Sequence, residues 1–286
     1  MTLTGADRTL YVSDLDDTLL GDGGTLSDVG RSTLTRLLGE GVAFTVATAR
    51  SPLTAFRALD GLPLALPVVT YSGASAADPA DRRPLWWEHF DARALTPLVG
   101  AALAAGVTPL VFWLDGEDDR ISWVRGAETS GVDTFLEARP GDPRLAPVDG
   151  WDEVDHDRGF FVSIRGEYPV VRRLSRMIRA ISWGTGCSLA LTGTRESGVG
   201  VLDVTAADAT KGSAIRRVAA EQGFSRVVAF GDGANDLPLF AEADESYATA
   251  AAPDEVKAAA TGVLDADADA DAVVRFLAEH AARAQV

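Results

Sequence analysis

Carboxylates crowd together directly after a short apolar run near the start of the chain. Leu10–Ser13 has the composition of a buried strand, and Asp14, Asp16 and Asp17 follow it, with Thr18 next in the chain. In open α/β sheets, ligands bind beyond the carboxyl ends of the strands. Acids crowded at that end repel one another unless a cation or a reacting group offsets their charge. A purely structural acidic turn is the alternative, and this stretch alone does not decide between the two.

A second stretch far along the chain repeats the same pattern. An apolar strand, Arg226–Phe230, runs into a glycine turn that carries Asp232, Asn235 and Asp236. Two acidic strand ends of this kind can lie side by side in a parallel sheet and share a cation. Carboxylate and amide oxygens with no His or Cys nearby suit Mg²⁺ better than zinc. The second stretch therefore favours chemistry over a structural turn.

Four short motifs resemble those of the haloacid dehalogenase-like (HAD) phosphatases, and they occur in the order found in that family. Asp14–Leu19 resembles the nucleophile loop, and Phe44–Arg50 resembles the second motif, a strand that ends in a phosphate-binding Thr. Thr210–Ser213 resembles the lysine motif of the Cof-type subgroup, and Gly231–Asp236 resembles the metal loop. The resemblance implies a Rossmann-like, parallel-sheet α/β core with an inserted cap domain.

The resemblance also implies a role for each acidic residue. Asp14 would attack phosphorus and form an aspartyl-phosphate. Asp16 would protonate the leaving group and then deprotonate the attacking water. Mg²⁺ would be held by Asp14, Asp232 and the backbone carbonyl of Asp16, with Asp236 as a further or supporting ligand.

Phosphate binding is assigned by the same resemblance to three residues with polar side chains. Thr48 would donate a hydrogen bond to a phosphoryl oxygen, Lys211 would neutralise its charge, and Asn235 would support the group. Arg50 either contacts phosphate or braces the acidic loops, and the sequence does not separate these roles. The chain departs from the family pattern at Ala49, where Gly is usual, and at Ser72, where Asn is usual.

Alternating strands and helices must position these residues. Apolar spacing predicts a helix over Leu26–Glu40 with Ser27 as its N-cap, then strands over Val42–Ala47 and Pro67–Tyr71. Thr210 is predicted to cap a second helix that begins at Lys211. Such alternation implies a parallel sheet with right-handed crossovers.

The middle of the chain has a different character and predicts a separate α+β domain. Asp78–Pro84, rich in proline and charge, is predicted to be a linker. The core is therefore predicted over residues 1–79 and 208–286, and an inserted domain over 80–207, which resembles the type-2B cap. All six tryptophans fall in this insert, either to stack on a substrate ring or to build its core. Arg165 and Arg195 there either bind a substrate anion or are ordinary surface residues.

Composition excludes several classes of function. The 286 residues, 47% hydrophobic and 24% charged, are those of a globular protein with one large or two modest domains. A net charge of −16 argues against nucleic acid or an anionic membrane as a partner. Cys187 is the only cysteine, so no intramolecular disulfide forms and a reducing cytoplasm is expected. The N-terminus lacks the basic and apolar regions of a signal peptide.

Together these observations predict a Mg²⁺-dependent, Cof-type phosphatase in the cytoplasm that acts on a small phosphorylated metabolite, with a sugar phosphate as one candidate. A monomer or a homodimer is expected. A phosphomutase or phosphotransferase would pass the phosphoryl group to a second substrate instead of water. A non-catalytic phosphate-accepting regulatory protein is a third possibility, but Asp14 on the first strand and the large insert speak against it.

Overall fold

The computed structural model describes residues 8–21, 23–181, 186–193, 196–265 and 271–284, without the side chains of residues 92 and 281–284. It divides into two compact units, Met1–Trp87 with Thr210–Val286 and, between them, Glu88–Ala209. The chain thus passes between the units at 87/88 and 209/210, eight and two residues beyond the predicted boundaries at 79/80 and 207/208.

The first unit contains the acidic strand ends. Its helices and strands are, in order, β1 (Thr9–Ser13), α1 (Asp28–Gly39), β2 (Phe44–Val46), α2 (Pro52–Ala58), β3 (Val68–Thr70), β4 (Ser75–Ala77) and β5 (Pro84–Trp87). The second unit follows with α3 (Ala92–Ala104), β6 (Pro109–Asp115), β7 (Asp118–Ser122), α4 (Ser130–Glu137), β8 (Gly159–Glu167), α5 (Tyr168–Ala180), β9 (Cys187–Gly193) and β10 (Val199–Ala206). The chain then returns with α6 (Lys211–Gln222), β11 (Arg226–Gly231), α7 (Leu237–Glu242), β12 (Glu245–Ala248), α8 (Asp254–Ala259), β13 (Gly262–Val263) and α9 (Ala272–Ala284).

The parallel sheet of the first unit has the strand order β13-β12-β11-β1-β2. A single parallel bridge between Ala47 and Val69 attaches β3 beyond β2. Leu10 and Val12 of β1 pack on one face among residues of α6 and α7, and Tyr11 packs on the other face among residues of α1 and α9. Helices therefore cover both faces, as in other parallel sheets, and the predicted α/β core is confirmed.

The predicted helix starts are confirmed by their caps. Ser27 Oγ accepts a hydrogen bond from the amide of Gly30 at the start of α1. Thr210 Oγ1 accepts from the amide of Ser213 and so fixes the first turn of α6. Each cap satisfies a backbone N–H that the helix itself leaves unpaired.

The predicted linker at Asp78–Pro84 is wrong, because this stretch is the turn of a β-hairpin. β4 and β5 pair antiparallel, and the Asp78 amide donates to the Arg83 carbonyl across the turn. The hairpin extends the small sheet β3-β4-β5 in the first unit. Trp86 and Trp87 therefore belong to the first unit, not to the insert as predicted, while Trp183 lies outside the described residues.

The second unit is built on an antiparallel sheet with the order β7-β6-β8-β10-β9. Alternate residues of its strands, such as Val111, Val162 and Leu202, form one core cluster with Leu98 of α3 and Leu174 of α5. The helices α3, α4 and α5 accompany this sheet in the same unit. The α+β character predicted for this segment is confirmed.

None of the helices within the described residues has the length and apolarity needed to cross a bilayer.

Candidate active site

The buried end of β1 presents Asp14 at the carboxyl edge of the parallel sheet. The Asp14 amide donates to the Phe230 carbonyl, which fixes the start of the loop to β11. The loop then turns tightly, because the amides of Leu19 and Leu20 both donate to the Leu15 carbonyl. The Asp14 carboxylate is almost fully buried, with 5% of the residue exposed. A buried carboxylate needs partners, and the next elements supply them.

Lys211 provides the first partner from the N-terminal turn of α6. Its Nζ lies 2.7 Å from Asp14 Oδ1 and 2.6 Å from Asp236 Oδ1. The lysine side chain is fully buried, although as a helix residue it could equally have been solvated. One ammonium group therefore joins the two acidic strand ends that the sequence placed together.

The loop after β11 folds around the carboxylate of Asp236. Its Oδ2 accepts hydrogen bonds from the amides of Asp232 and Gly233, at 3.0 and 2.9 Å. Gly231 is needed for this fold, because a Cβ there would lie 2.6 Å from the Asp236 Cβ. Asp232 Oδ1 in turn accepts from Thr18 Oγ1 at 2.9 Å. The loop thus holds Asp232 beside Asp14 while Asp236 anchors both the loop and Lys211.

Burial shapes the ionisation of these groups. Burial raises the pKa of Asp14 to about 8, and the charges of Asp236 and Asp232 add to the shift while Lys211 opposes it. Burial and the charge of Asp236 raise the pKa of Asp232 to about 6. For Lys211, burial acts to lower the pKa, but Asp14 and Asp236 outweigh it and hold the ammonium charged. When ionised, the three carboxylates face one resident cation, and the excess negative charge favours binding of a proton or a metal cation.

The donor set of this cluster fits a hard divalent cation. Asp14, Asp232 and Asp236 each offer a carboxylate oxygen, and these oxygens lie within 4.8 Å of one another. Oxygen-only donors suit Mg²⁺, and a divalent ion would balance the excess negative charge. Because the oxygens of Asp236 already accept three hydrogen bonds, Asp14 and Asp232 have more free lone pairs for an ion.

Asp16 lies outside this cluster and pairs with Arg50. The Arg50 guanidinium donates two hydrogen bonds to the Asp16 carboxylate, from Nε to Oδ2 at 2.9 Å and from Nη2 to Oδ1 at 2.5 Å. This bond and the charge of Asp16 raise the pKa of Arg50. Of the two roles left open for Arg50, the geometry shows the one that braces the acidic loop.

Thr48 and Asn235 occupy the neighbouring strand ends. Thr48 follows β2, is 1% exposed, and its Oγ1 accepts from the Arg50 amide, which leaves its hydroxyl hydrogen for another acceptor. Asn235 lies half-buried in the turn between Asp232 and Asp236, with its Oδ1 over Gly233. Ala49, which replaces the usual Gly, does not have a positive φ, so its methyl group causes no backbone strain.

Of the two arginines that were candidates for binding a substrate anion, only Arg165 lies within the described residues. Arg165 lies on β8 of the second unit, where its Nε donates to Ser163 Oγ and its guanidinium lies 5.1 Å from the centre of the Phe135 ring. Arg195 lies outside the described residues. Thr18, whose hydroxyl orients Asp232, is a functional residue that was not predicted from the sequence, although it lies in the nucleophile-loop motif.

The sequence of the chain matches a known protein family. The family model described as haloacid dehalogenase-like hydrolase matches residues 11–121 and 188–277. The match thus includes Asp14, Asp16, Thr48, Lys211 and Asp232. No curated protein matches the chain in sequence.

Solved structures share the fold over nearly the whole chain. The structure of SMU.1108c from Streptococcus mutans has a TM-score of 0.78 at 20% identity and covers 97% of this chain and 100% of its own. A haloacid dehalogenase-like hydrolase from Bacteroides thetaiotaomicron has a TM-score of 0.73 at 18% identity, covering 96% and 99%. The subclass IIB sugar phosphatase BT4131 has a TM-score of 0.75 at 16% identity, also covering 96% and 99%. At these identities the similarity establishes the fold alone.

Proposed function

The chain belongs to the haloacid dehalogenase-like hydrolase family, and from this membership we propose that it is a Mg²⁺-dependent phosphatase acting on a small phosphorylated metabolite. The observation that carries the proposal is the buried cluster in which Lys211 joins Asp14 to Asp236 beside Asp232. A structural ion pair needs two charges, whereas this cluster concentrates three carboxylates at the edge of the sheet where ligands bind. We place the protein in the cytoplasm.

Asp14 is the nucleophile in this proposal. One carboxylate oxygen forms a bond to phosphorus as the bond from phosphorus to the leaving oxygen breaks, which gives an aspartyl-phosphate. Water then attacks that phosphorus, releases inorganic phosphate and restores the carboxylate. Lys211 keeps the Asp14 carboxylate oriented and neutralises charge on the phosphoryl oxygens.

Asp16 is the proton donor and acceptor. It gives a proton to the leaving oxygen in the first step and takes one from the attacking water in the second. Arg50 holds the Asp16 carboxylate through two hydrogen bonds and so orients it for these proton transfers. Thr48 donates its free hydroxyl hydrogen to a phosphoryl oxygen.

Mg²⁺ would be held by Asp14 and Asp232 and would supply positive charge against the phosphoryl oxygens. Asp236 supports the site by holding Lys211 and the loop after β11. Because the structurally similar BT4131 is named as a sugar phosphatase, sugar phosphates are the first substrates to test.

A phosphate-release screen tests the proposal. Sugar phosphates, nucleotides, flavin mononucleotide and pyridoxal phosphate are incubated with the protein in Mg²⁺ or in EDTA. Asp14→Asn is compared with Asp17→Asn, which alters an exposed acid of the same loop. We expect Mg²⁺-dependent release on a few substrates, lost in Asp14→Asn and retained in Asp17→Asn.

The covalent intermediate separates this mechanism from direct attack by water. Acid-quenched wild-type protein is expected to carry phosphate that hydroxylamine removes, as an acyl phosphate requires, and Asp14→Asn is expected to carry none. Release that survives in Asp14→Asn, or no release from any substrate by folded protein in Mg²⁺, would contradict the proposal. Phosphate transfer to an added sugar phosphate without release would identify a phosphotransferase instead.

A further inference from the structure

Ser72, in the turn after β3, carries a buried hydroxyl that has no hydrogen-bond partner. The residue is 8% exposed, and its Oγ is among the few buried side-chain oxygens and nitrogens without a partner in the described part of the chain. Burying a hydroxyl without a hydrogen bond destabilises the folded state. Such a group therefore needs an explanation beyond folding.

The backbone of the same turn is strained. Tyr71, Ser72 and Gly73 have consecutive positive φ values of 50°, 56° and 106°. Only glycine adopts this region without strain, and runs of left-handed residues are unusual. The amides of Tyr71 and Ser72 hold the turn by donating to the carbonyls of Arg50 and Thr48. Strain that a protein retains in this way is concentrated at functional sites.

The turn lies between two of the proposed phosphate-binding residues. On one side, the Ser72 amide donates to the carbonyl of Thr48 at 2.9 Å. On the other side, Gly73 packs so closely on the start of α6 that a Cβ would lie 2.1 Å from the Thr210 carbonyl oxygen and 2.9 Å from the Lys211 amide nitrogen. Ser72 is thus fixed between the strand end that carries Thr48 and the helix that carries Lys211.

We propose that the Ser72 hydroxyl donates a hydrogen bond to a phosphoryl oxygen of the substrate, alongside Thr48 and Lys211. This inference rests on the proposed phosphatase function. The low exposure of Ser72 is no objection, because Thr48 and Lys211 are each only 1% exposed. A bound phosphoryl group would supply the acceptor that the hydroxyl lacks, and the strained turn would hold the hydroxyl in place for it.

Three substitutions separate a binding role from a structural one. Ser72→Ala removes the hydroxyl and keeps the strain. Ser72→Gly removes both, because glycine is relaxed at this φ, so the protein should become more stable while it loses the donor. Ser72→Asn restores a donor on a residue that tolerates the left-handed region. Thr129→Val is the matched control, because Thr129 also has a buried, unpartnered hydroxyl but lies in the second unit.

The measurements are the binding of inorganic phosphate in the presence of Mg²⁺, steady-state kinetics on the best substrate, and thermal unfolding. A hydrogen bond to a charged group predicts a loss of roughly 10- to 100-fold in phosphate affinity and kcat/KM for Ser72→Ala and Ser72→Gly. Ser72→Asn should recover most of that loss, and Thr129→Val should bind and turn over like the wild type. Ser72→Gly is the most informative variant, because it should unfold at a higher temperature than the wild type and yet bind phosphate more weakly.

The outcomes also separate this inference from the proposed function. Wild-type activity and phosphate affinity in Ser72→Ala and Ser72→Gly would overturn the role of Ser72 and leave the phosphatase intact. An inactive wild type that still binds phosphate in a Ser72-dependent way would support the contact and contradict the phosphatase. If the wild type neither turns over substrate nor binds phosphate, both fail.

Discussion

Lys211 and Asp236 form a salt bridge in which neither side chain is exposed to solvent, with Nζ 2.6 Å from Oδ1. A buried ion pair contributes little net stability compared with apolar side chains, but a lone buried charge is very unfavourable. Because of this asymmetry, substitution of Asp236 should strongly affect the stability of the protein, even without any contact between Asp236 and a substrate.

Asp236→Ala is therefore expected to lower the free energy of unfolding by about 3–5 kcal/mol, because Lys211 loses one of its two buried partners. Urea unfolding measures the change. Glu40→Ala is the control, because it breaks the exposed Arg36–Glu40 pair and should change stability by less than about 1 kcal/mol. Equal effects of the two substitutions would show that the burial of Lys211 has no energetic weight.

Arg50→Ala tests whether Arg50 positions Asp16. The pair is partly exposed, so its loss should change stability by no more than about 1 kcal/mol. Turnover should fall on the order of 100-fold, because the proton-transferring carboxylate loses its orientation. Arg50→Lys should not restore activity, since an ammonium group cannot form the bidentate pair of hydrogen bonds with the Asp16 carboxylate. Arg82→Ala, which removes the exposed Arg82–Asp60 pair of the same unit, should leave both properties unchanged. Full activity in Arg50→Ala would contradict this role.

Metal binding should stabilise the protein through Asp14 and Asp232. At a Mg²⁺ concentration one hundred times Kd, the expected stabilisation is about 2.7 kcal/mol. Differential scanning calorimetry in Mg²⁺ and in EDTA measures it as a shift in Tm. Asp232→Asn should abolish the shift and Asp17→Asn should retain it. An undiminished shift in Asp232→Asn would place the ion elsewhere.

The metal-free protein should lose stability as the pH rises. The folded-state pKa values of Asp232 and Asp14, about 6 and about 8, lie above the ordinary value of 3.8, so both groups bind their protons more tightly when folded. Their contribution to stability is full below pH 3.8 and is lost as the pH passes through about 6 and then about 8. Urea midpoints in EDTA should fall less between about pH 3.8 and about pH 6 for Asp232→Asn than for the wild type. An identical pH profile for this variant would contradict the raised pKa of Asp232.

Gly73→Ala should damage both stability and activity. The new Cβ would overlap the Thr210 carbonyl and also carry the strain of a positive φ, which predicts a loss of about 3 kcal/mol or more. Gly41 also has a positive φ, but a Cβ there would have no atom within 4 Å. Gly41→Ala should therefore lower stability by only about 1–2 kcal/mol and leave turnover unchanged. Similar losses in the two variants would show that the contact with α6 is not tight.

The sequence alone predicted the parallel core and the meeting of Asp14 with Asp232, because the carboxyl ends of adjacent parallel strands lie at one edge. It could not predict that Asp16 turns to Arg50, since that choice depends on the loop backbone, where Asp17 has a φ of 58°. The misplaced linker has a similar cause: prolines and charges favour a hairpin turn and a linker alike. The position of Ser72 was also beyond sequence patterns, because its strain arises from contacts with distant residues.

The strand order affects how the central sheet can form while the chain is being synthesised. β1 lies between β2 and β11, and Thr18 and Asp232, which hydrogen bond across this junction, are 214 residues apart in sequence. A ribosome therefore releases β1 long before its partner β11 exists, so one hydrogen-bonding edge of the central strand stays open throughout the synthesis of the second unit. Open edges of this kind invite aggregation, and distant pairings slow folding. The arrangement that brings the acids together thus delays completion of the central sheet until β11 has been made.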